Sequence, residues 1–200
     1  MPPIRTDIFL LVPRLVSPVL AAAVALAVSA SGAAAASKPA THKKKKKGPT
    51  AAQKLAAAVK TAEHSPDLWA TVNVCTSMPA PTNDSVGIRG QMPSLGVPAT
   101  LSMNISVSYW DGSAFATPPM PVTDTISLGM GTHGLHQGGV NFTIIPPTPG
   151  ATYVVRGAIT FEWKIGTKVV GKVTKNTGHG YANVGFSSPP GFSAGTCTLT

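Results

Sequence analysis

Between Leu101 and Tyr109 the chain alternates without a break. Leu101, Met103, Ile105, Val107 and Tyr109 are separated by Ser102, Asn104, Ser106 and Ser108. Successive side chains on a strand point to opposite faces, so this stretch predicts a strand with one dry face and one wet face, as in an antiparallel sheet. Trp110 falls on the polar side beside the Asp111-Gly112 turn, where exposure and packing under a loop are both open readings. A second long run reads the same way: Tyr153, Val155, Ile159, Phe161 and Trp163 alternate with Val154, Arg156, Thr160, Glu162 and Lys164, placing Trp163 in the core. Shorter runs follow the same period at Val72 and Val74, Val86 and Ile88, Ile126 to Met130, and Val140 to Ile144. Val169 and Val173 are expected on one side of a further strand with Lys168 and Lys172 on the other, and Cys197 and Leu199 on a last strand. Short strands divided by Pro- and Gly-rich turns, with no helix between them, predict an all-β antiparallel sandwich or barrel rather than βαβ units. We read residues 65–200 as a β-sandwich.

The preceding segments lack that period. Thr50 and Gln53 have capping-box spacing ahead of an Ala- and Leu-rich body, which predicts a short helix over residues 50–64, ended by Ser65-Pro66-Asp67. Residues 37–49 hold five consecutive lysines and no apolar cluster, and are expected to form a disordered Lys-rich linker. Residues 1–36 run from Arg5 and Arg14 through an apolar stretch to small residues, the order of an export signal, with Ala34 and Ala36 matching an A-x-A cut. Leu15 to Ala36 is also long enough to span a bilayer, so a retained anchor is the alternative. The expected location is secreted or extracellular, in association with the cell envelope as one form of it.

Charge sharpens this picture. The net +9 is concentrated: residues 37–64 hold eight lysines against Glu63, whereas residues 65–200 hold six bases against five acids. A near-neutral domain argues against a specific nucleic-acid surface. Lys43, Lys44, Lys45, Lys46 and Lys47 are the candidate polyanion-binding residues, with an anionic cell-envelope polymer or lipid surface as partner. Near such a surface each lysine contributes about 1 kcal/mol, screened over about 10 Å at 0.1 M salt. A solvated spacer is the alternative. Cys75 and Cys197 are an even count in an exported chain and predict one disulfide, joining the first strand to the last.

Candidate chemistry is sparse, and no cofactor is implied. Gly191-Phe192-Ser193-Ala194-Gly195 matches a nucleophile-elbow string, but no acid or His follows it, so it reads as a turn into the last strand. His133, His136 and His179 are the candidate metal ligands if their Gly-rich loops meet, and exposed loop histidines if they do not. The acids are scattered, with no pair to nominate for glycoside hydrolysis. Asn83, Asn104 and Asn141 head glycosylation-type strings that a Ser/Thr-rich β protein produces by chance.

Two resemblances accompany these readings. Pro149-Gly150-Ala151-Thr152-Tyr153-Val154-Val155-Arg156 resembles the start of strand F in fibronectin type III and immunoglobulin-like domains. The resemblance implies a β-sandwich in which the Tyr153 hydroxyl bonds upstream backbone. The usual inter-sheet cysteine pair of that fold is missing at its usual strands, and the chain is longer. Leu-Trp-Ala-Thr-Val-Asn-Val-Cys (Leu68 to Cys75) and the Pro189 to Cys197 ending are similar to those of exported actinobacterial proteins of unassigned function, which implies location and fold rather than activity. The functional expectation is a secreted or cell-surface module with a non-catalytic binding or envelope-structural role. The alternative is an exported enzyme, a hydrolase or a His-metal site using the loop histidines.

Overall fold

The computed structural model describes residues 48–77, 84–145 and 151–200. The export signal, Lys43 to Lys47 and most of the linker lie outside the described residues. Thr50 caps helix α1 (Ala51–Glu63): its hydroxyl accepts from the Gln53 N–H while the Gln53 side chain accepts from the Thr50 N–H. Strands follow at β1 (Trp69–Thr76), β2 (Asp84–Pro93), β3 (Ala99–Trp110), β4 (Phe115–Ala116), β5 (Val122–Gly131), β6 (Leu135–Ile144), β7 (Tyr153–Ile165), β8 (Lys168–Asn176) and β9 (Cys197–Leu199). The expected strands are all present, and the two-residue β4 is added to them.

Two antiparallel sheets form from these strands. One has the order β1-β2-β6. The other is built on β3 and β7, paired from Thr100↔Lys164 to Tyr109↔Val155. β5 and β4 share the outer edge of β3, and β8 and β9 share the far edge of β7. The inward residues are those the alternation marks: Leu101, Met103, Ile105 and Val107 from β3 meet Val155, Ile159, Phe161 and Trp163 from β7. From the facing sheet come Ala70, Val72, Val86, Ile88 and Met92. Trp163 is fully buried and donates its indole N–H to the Pro93 carbonyl at 2.8 Å, so its one polar atom is satisfied.

Two bulges shift side chains away from the simple period. The β3–β5 register slips between Leu101 and Ser102, where Gly129 takes φ +80° on the opposite strand. An extra residue on one strand reverses the faces beyond it. Ile126 and Leu128 therefore pack on the core, whereas Met130 pairs with outward Thr100 and is 75 % exposed. A second slip on β7–β8 pairs Val169 with outward Lys164; Val169 is 41 % exposed and Val170 takes the inward place. Met130 and Val169 thus correct the expectation that both face the core.

The sheets are also covered at their edges. α1 lies against β8, where Gly171 makes room for it: a Cβ there would stand 2.7 Å from Val59. The Glu63 carboxylate accepts the Lys172 backbone N–H at 3.1 Å, filling a donor on the exposed edge of β8. Residues 177–196 cover β1. Val72 and Ala194 exchange both backbone hydrogen bonds, at 2.8 and 3.0 Å, and Ala70 and Asn73 carbonyls accept from Gly178 and Ser188. Trp69 stacks on Tyr181 at 5.0 Å, Asn73 donates to the Phe186 carbonyl, and Gln137 bonds both Asn183 and Gly185. The β1 side of this sheet is therefore buried on both faces, which an alternating pattern does not anticipate.

The Cys75–Cys197 disulfide is present, with its Cα atoms 5.5 Å apart. Because β1 belongs to one sheet and β9 to the other, the bond joins the two sheets as well as the two ends of the strand sequence.

Candidate binding surfaces

Ser193 is part of the scaffold. Its Oγ lies 2.9 Å from the Thr71 hydroxyl and accepts the Tyr181 N–H at 3.1 Å, and Ala194 beside it bridges to Val72. The segment is a turn that returns the chain to β1 before the last strand, as expected. The histidines are dispersed. His133 is exposed in the 132–134 turn between β5 and β6; His136 is on β6, with Nε2 2.9 Å from the Ser94 hydroxyl; His179 is exposed between β8 and β9. The Gly129 to Gly139 stretch, expected as a flexible loop, is mostly the ends of two strands. Among the described residues no three His, Cys, Asp or Glu side chains are grouped to hold a metal ion. Tyr153 opens β7, and residues 146–150, the upstream backbone its hydroxyl would meet according to the resemblance, lie outside the described residues.

What the fold leaves open is the outer face of the six-stranded sheet. Even-numbered residues of β3 and β7 point outward, and pairing sets them in rows: Ser102 beside Glu162, Asn104 beside Thr160, Ser108 beside Arg156. β5 adds Thr125 next to Asn104, and β8 adds Thr174 and Lys172 next to Thr160 and Glu162. Neighbouring groups are already linked. Asn104 donates to the Thr125 hydroxyl, and Thr160 and Thr174 share a hydrogen bond, both at 2.8 Å. A shallow polar depression of about 370 Å³ lies over Ser102, Asn104, Thr125, Thr160, Glu162 and Lys172. Glu162 makes ion pairs of 3.0 Å with both Lys172 and Lys164, whose hydrogen bonds hold its carboxyl below the usual carboxylate range.

At one end of this face the chemistry changes. Trp110 and Phe115 pair across β3 and β4 and meet edge to face at 5.3 Å. The Arg156 guanidinium sits 4.1 Å over the Phe115 ring. Trp110 stays 44 % exposed, whereas Trp69 and Trp163 are buried. Asp111, next in the chain, accepts from the Ser113 and Ala114 N–H groups and the Ser113 hydroxyl, which lowers its pKa and fixes the turn that aims Trp110 and Phe115 at each other. The second open site is apolar. Val107, Tyr109, Val122, Ile144, Tyr153 and Val155 line a cavity of about 450 Å³ at the end of the sandwich, roofed in part by Pro118 and Pro119.

No protein-family model matches the chain, and no curated protein matches it in sequence. Among solved structures it is similar to part of a protein from Bacteroides fragilis described as a β-galactosidase, at 12% identity and a TM-score of 0.33, over 57% of this chain and 16% of that one. It is also similar to part of a glycosyl hydrolase family 2 member from Bacteroides cellulosilyticus DSM 14838, at 14% identity and a TM-score of 0.31, over 64% and 16%. The chain thus spans 16% of the length of either enzyme, and likenesses this slight carry no functional weight.

Sequence reasoning finds Trp110 and the polar rows from alternation alone. It misses Phe115 and Arg156 as partners of Trp110, because their meeting depends on the short β4 pairing and the β3–β7 register.

Proposed function

We propose that this chain is an exported, non-catalytic β-sandwich module that binds at the cell envelope. One observation carries the reading: among the described residues the two facing sheet surfaces are packed and the β1 side is covered by residues 177–196, while the outer face of the six-stranded sheet stays open. That face bears Arg156, Lys164 and Lys172 against Glu162 alone. A face that is polar, modestly cationic and rigid is suited to holding a partner rather than to transforming it. Lys43 to Lys47 add attraction to anionic polymers or lipids that is strong at low salt and fades as salt rises. Export fits the disulfide, since such bonds persist in oxidising compartments.

We assign the sandwich to the fibronectin type III and immunoglobulin-like group. Immunoglobulin constant domains pair strands A, B and E in one sheet and C, F and G in the other. Here β1-β2-β6 and β3-β7-β8 pair in the corresponding way, with β5 beside β3. The test of the envelope role is retention of the full chain on cell-wall fractions and on vesicles containing anionic lipid, measured against salt. Replacing Lys43 to Lys47 with Ser should remove most of the salt-sensitive retention. Retention by neither material, or retention indifferent to salt and to the lysines, would refute the role of the tail.

A further inference from the structure

We infer that the outer face of the six-stranded sheet is a binding site for an acidic polysaccharide, with Trp110 stacking on a sugar ring and Arg156 pairing with a ring carboxylate. The inference rests on the reading of the chain as a binding module and names what this face takes. Three observations meet there. The first is a tryptophan that the fold does not use as core: Trp110 keeps 44 % of its surface in water, on the same face as the row of β3 hydroxyls and amide. The C–H face of a pyranose ring is apolar and its rim is hydroxylated, so it matches an indole set among hydroxyls and amides.

The second is a cation with no counter-charge. Among the described residues no carboxylate pairs with Arg156, and its Nε is buried without a hydrogen-bond partner. Phe115 beneath it holds the guanidinium plane in place. A planar guanidinium already fixed in orientation loses little freedom when it forms a two-pronged bond to a carboxylate. The face's remaining cations, Lys164 and Lys172, share the one carboxylate of Glu162, whereas the cation beside Trp110 has no acid on it. Asp111, the nearest acid in sequence, is committed through Oδ1 to its own turn.

The third is a track. From Trp110 the outward residues of β3 lead through Ser108 and Ser106 to Asn104 and Ser102, a run of about 20 Å between Trp110 and Asn104 at strand spacing. It ends in the polar depression bordered by Thr160 and Thr125. An extended sugar chain lying along the strand would meet a stacking ring first, a cation next, and hydroxyl and amide groups beyond. A single cation beside a single ring suits sugars that carry one charge each.

The experiment uses the full chain and three probes: an oligosaccharide of galacturonic acid, the neutral galactose oligosaccharide of equal length, and inorganic polyphosphate. Because Trp69 and Trp163 are buried, acrylamide quenching reports chiefly on Trp110. The acidic oligosaccharide should shield Trp110 from acrylamide in the unaltered protein, and the neutral one should do so far more weakly. Titration calorimetry, which does not need Trp110 as its reporter, should show Trp110→Ala and Arg156→Gln each weakening binding of the acidic oligosaccharide about tenfold or more, as buried aromatic and Arg contacts do at binding hot spots. Replacing Lys43 to Lys47 with Ser should leave that shielding in place. The inference is overturned by any of three results: no shielding by the acidic oligosaccharide, equal shielding by the neutral one, or binding abolished by the lysine replacement and untouched by Trp110→Ala. The last result leaves the envelope role of the tail standing, and polyphosphate binding lost with the lysines alone would report on that tail separately.

Discussion

At the scale of single residues, several side chains that look chemical are structural, and each can be tested as such. Glu162 is the clearest. Hydrogen bonds from Lys172 and then Lys164 depress its pKa. A carboxyl whose folded pKa lies below its unfolded value, about 4.3, adds stability above that value and loses it as pH falls through the folded pKa. Glu162→Gln should therefore lower the melting temperature at neutral pH by a small margin, under about 1 kcal/mol for so accessible a pair, and the difference from the unaltered protein should close below about pH 4. A difference that persists in acid would mean the residue acts through packing. Ser193 makes a contrasting case. Its Oγ joins Thr71 to the Tyr181 N–H; Thr71 keeps the Gly178 carbonyl, but Ser193→Ala leaves the part-buried Tyr181 N–H unpaired and should destabilise by about 1 kcal/mol. Equilibrium denaturation measures this directly, and an unchanged midpoint would return Ser193 to consideration as a free nucleophile.

At the scale of elements, legibility followed periodicity. β3 and β7 could be read residue by residue because each alternates for its whole length and buries one face. Met130 and Val169 could not, because bulges on β5 and β8 shift the pairing by one position; Gly129 is a local sign of the first, but a lone glycine in a Gly-rich stretch does not fix the register. The covering segment 177–196 was illegible for a deeper reason: it holds β1 by backbone hydrogen bonds and by Asn and Gln side chains, which impose no repeat. The candidate face was half legible, since Trp110 and the hydroxyl rows follow from alternation while Arg156 reaches Phe115 only through register. Close strand approach supplies an element-scale test. Gly139 on β6 stands opposite Arg89, and a Cβ there would lie 2.4 Å from the Ile88 carbonyl oxygen. Backbone cannot yield as a side chain tip can, so Gly139→Val should cost at least about 1–3 kcal/mol by prising β6 from β2. Amide exchange should then rise at the β2–β6 pairs while the β3–β7 pairs stay protected. Uniform protection throughout would show that the strand adjusts without strain.

At the scale of the whole molecule, the disulfide is the side-chain cross-link between the sheets, and its partners are 122 residues apart. A bond over so long an interval acts mainly on the unfolded chain, by forbidding its most expanded states; for a loop of that order the loop-entropy model gives about 4–5 kcal/mol. The folded chain is less dependent on it. β1 is paired with β2 along Trp69 to Thr76 and held on its other side by residues 177–196, and β9 is paired with β7. The doubly substituted Cys75→Ser, Cys197→Ser chain should therefore still fold at low temperature with its sheets intact. Its denaturation midpoint should fall, and the dependence of its stability on denaturant should steepen, because the unlinked unfolded state exposes more surface. Reducing the unaltered protein should reproduce both changes. If instead the midpoint falls with no change in slope and β1 exchanges its amides freely in the native state, the bond acts on the folded state. The covering segment would then be too weak to hold β1 in place unaided.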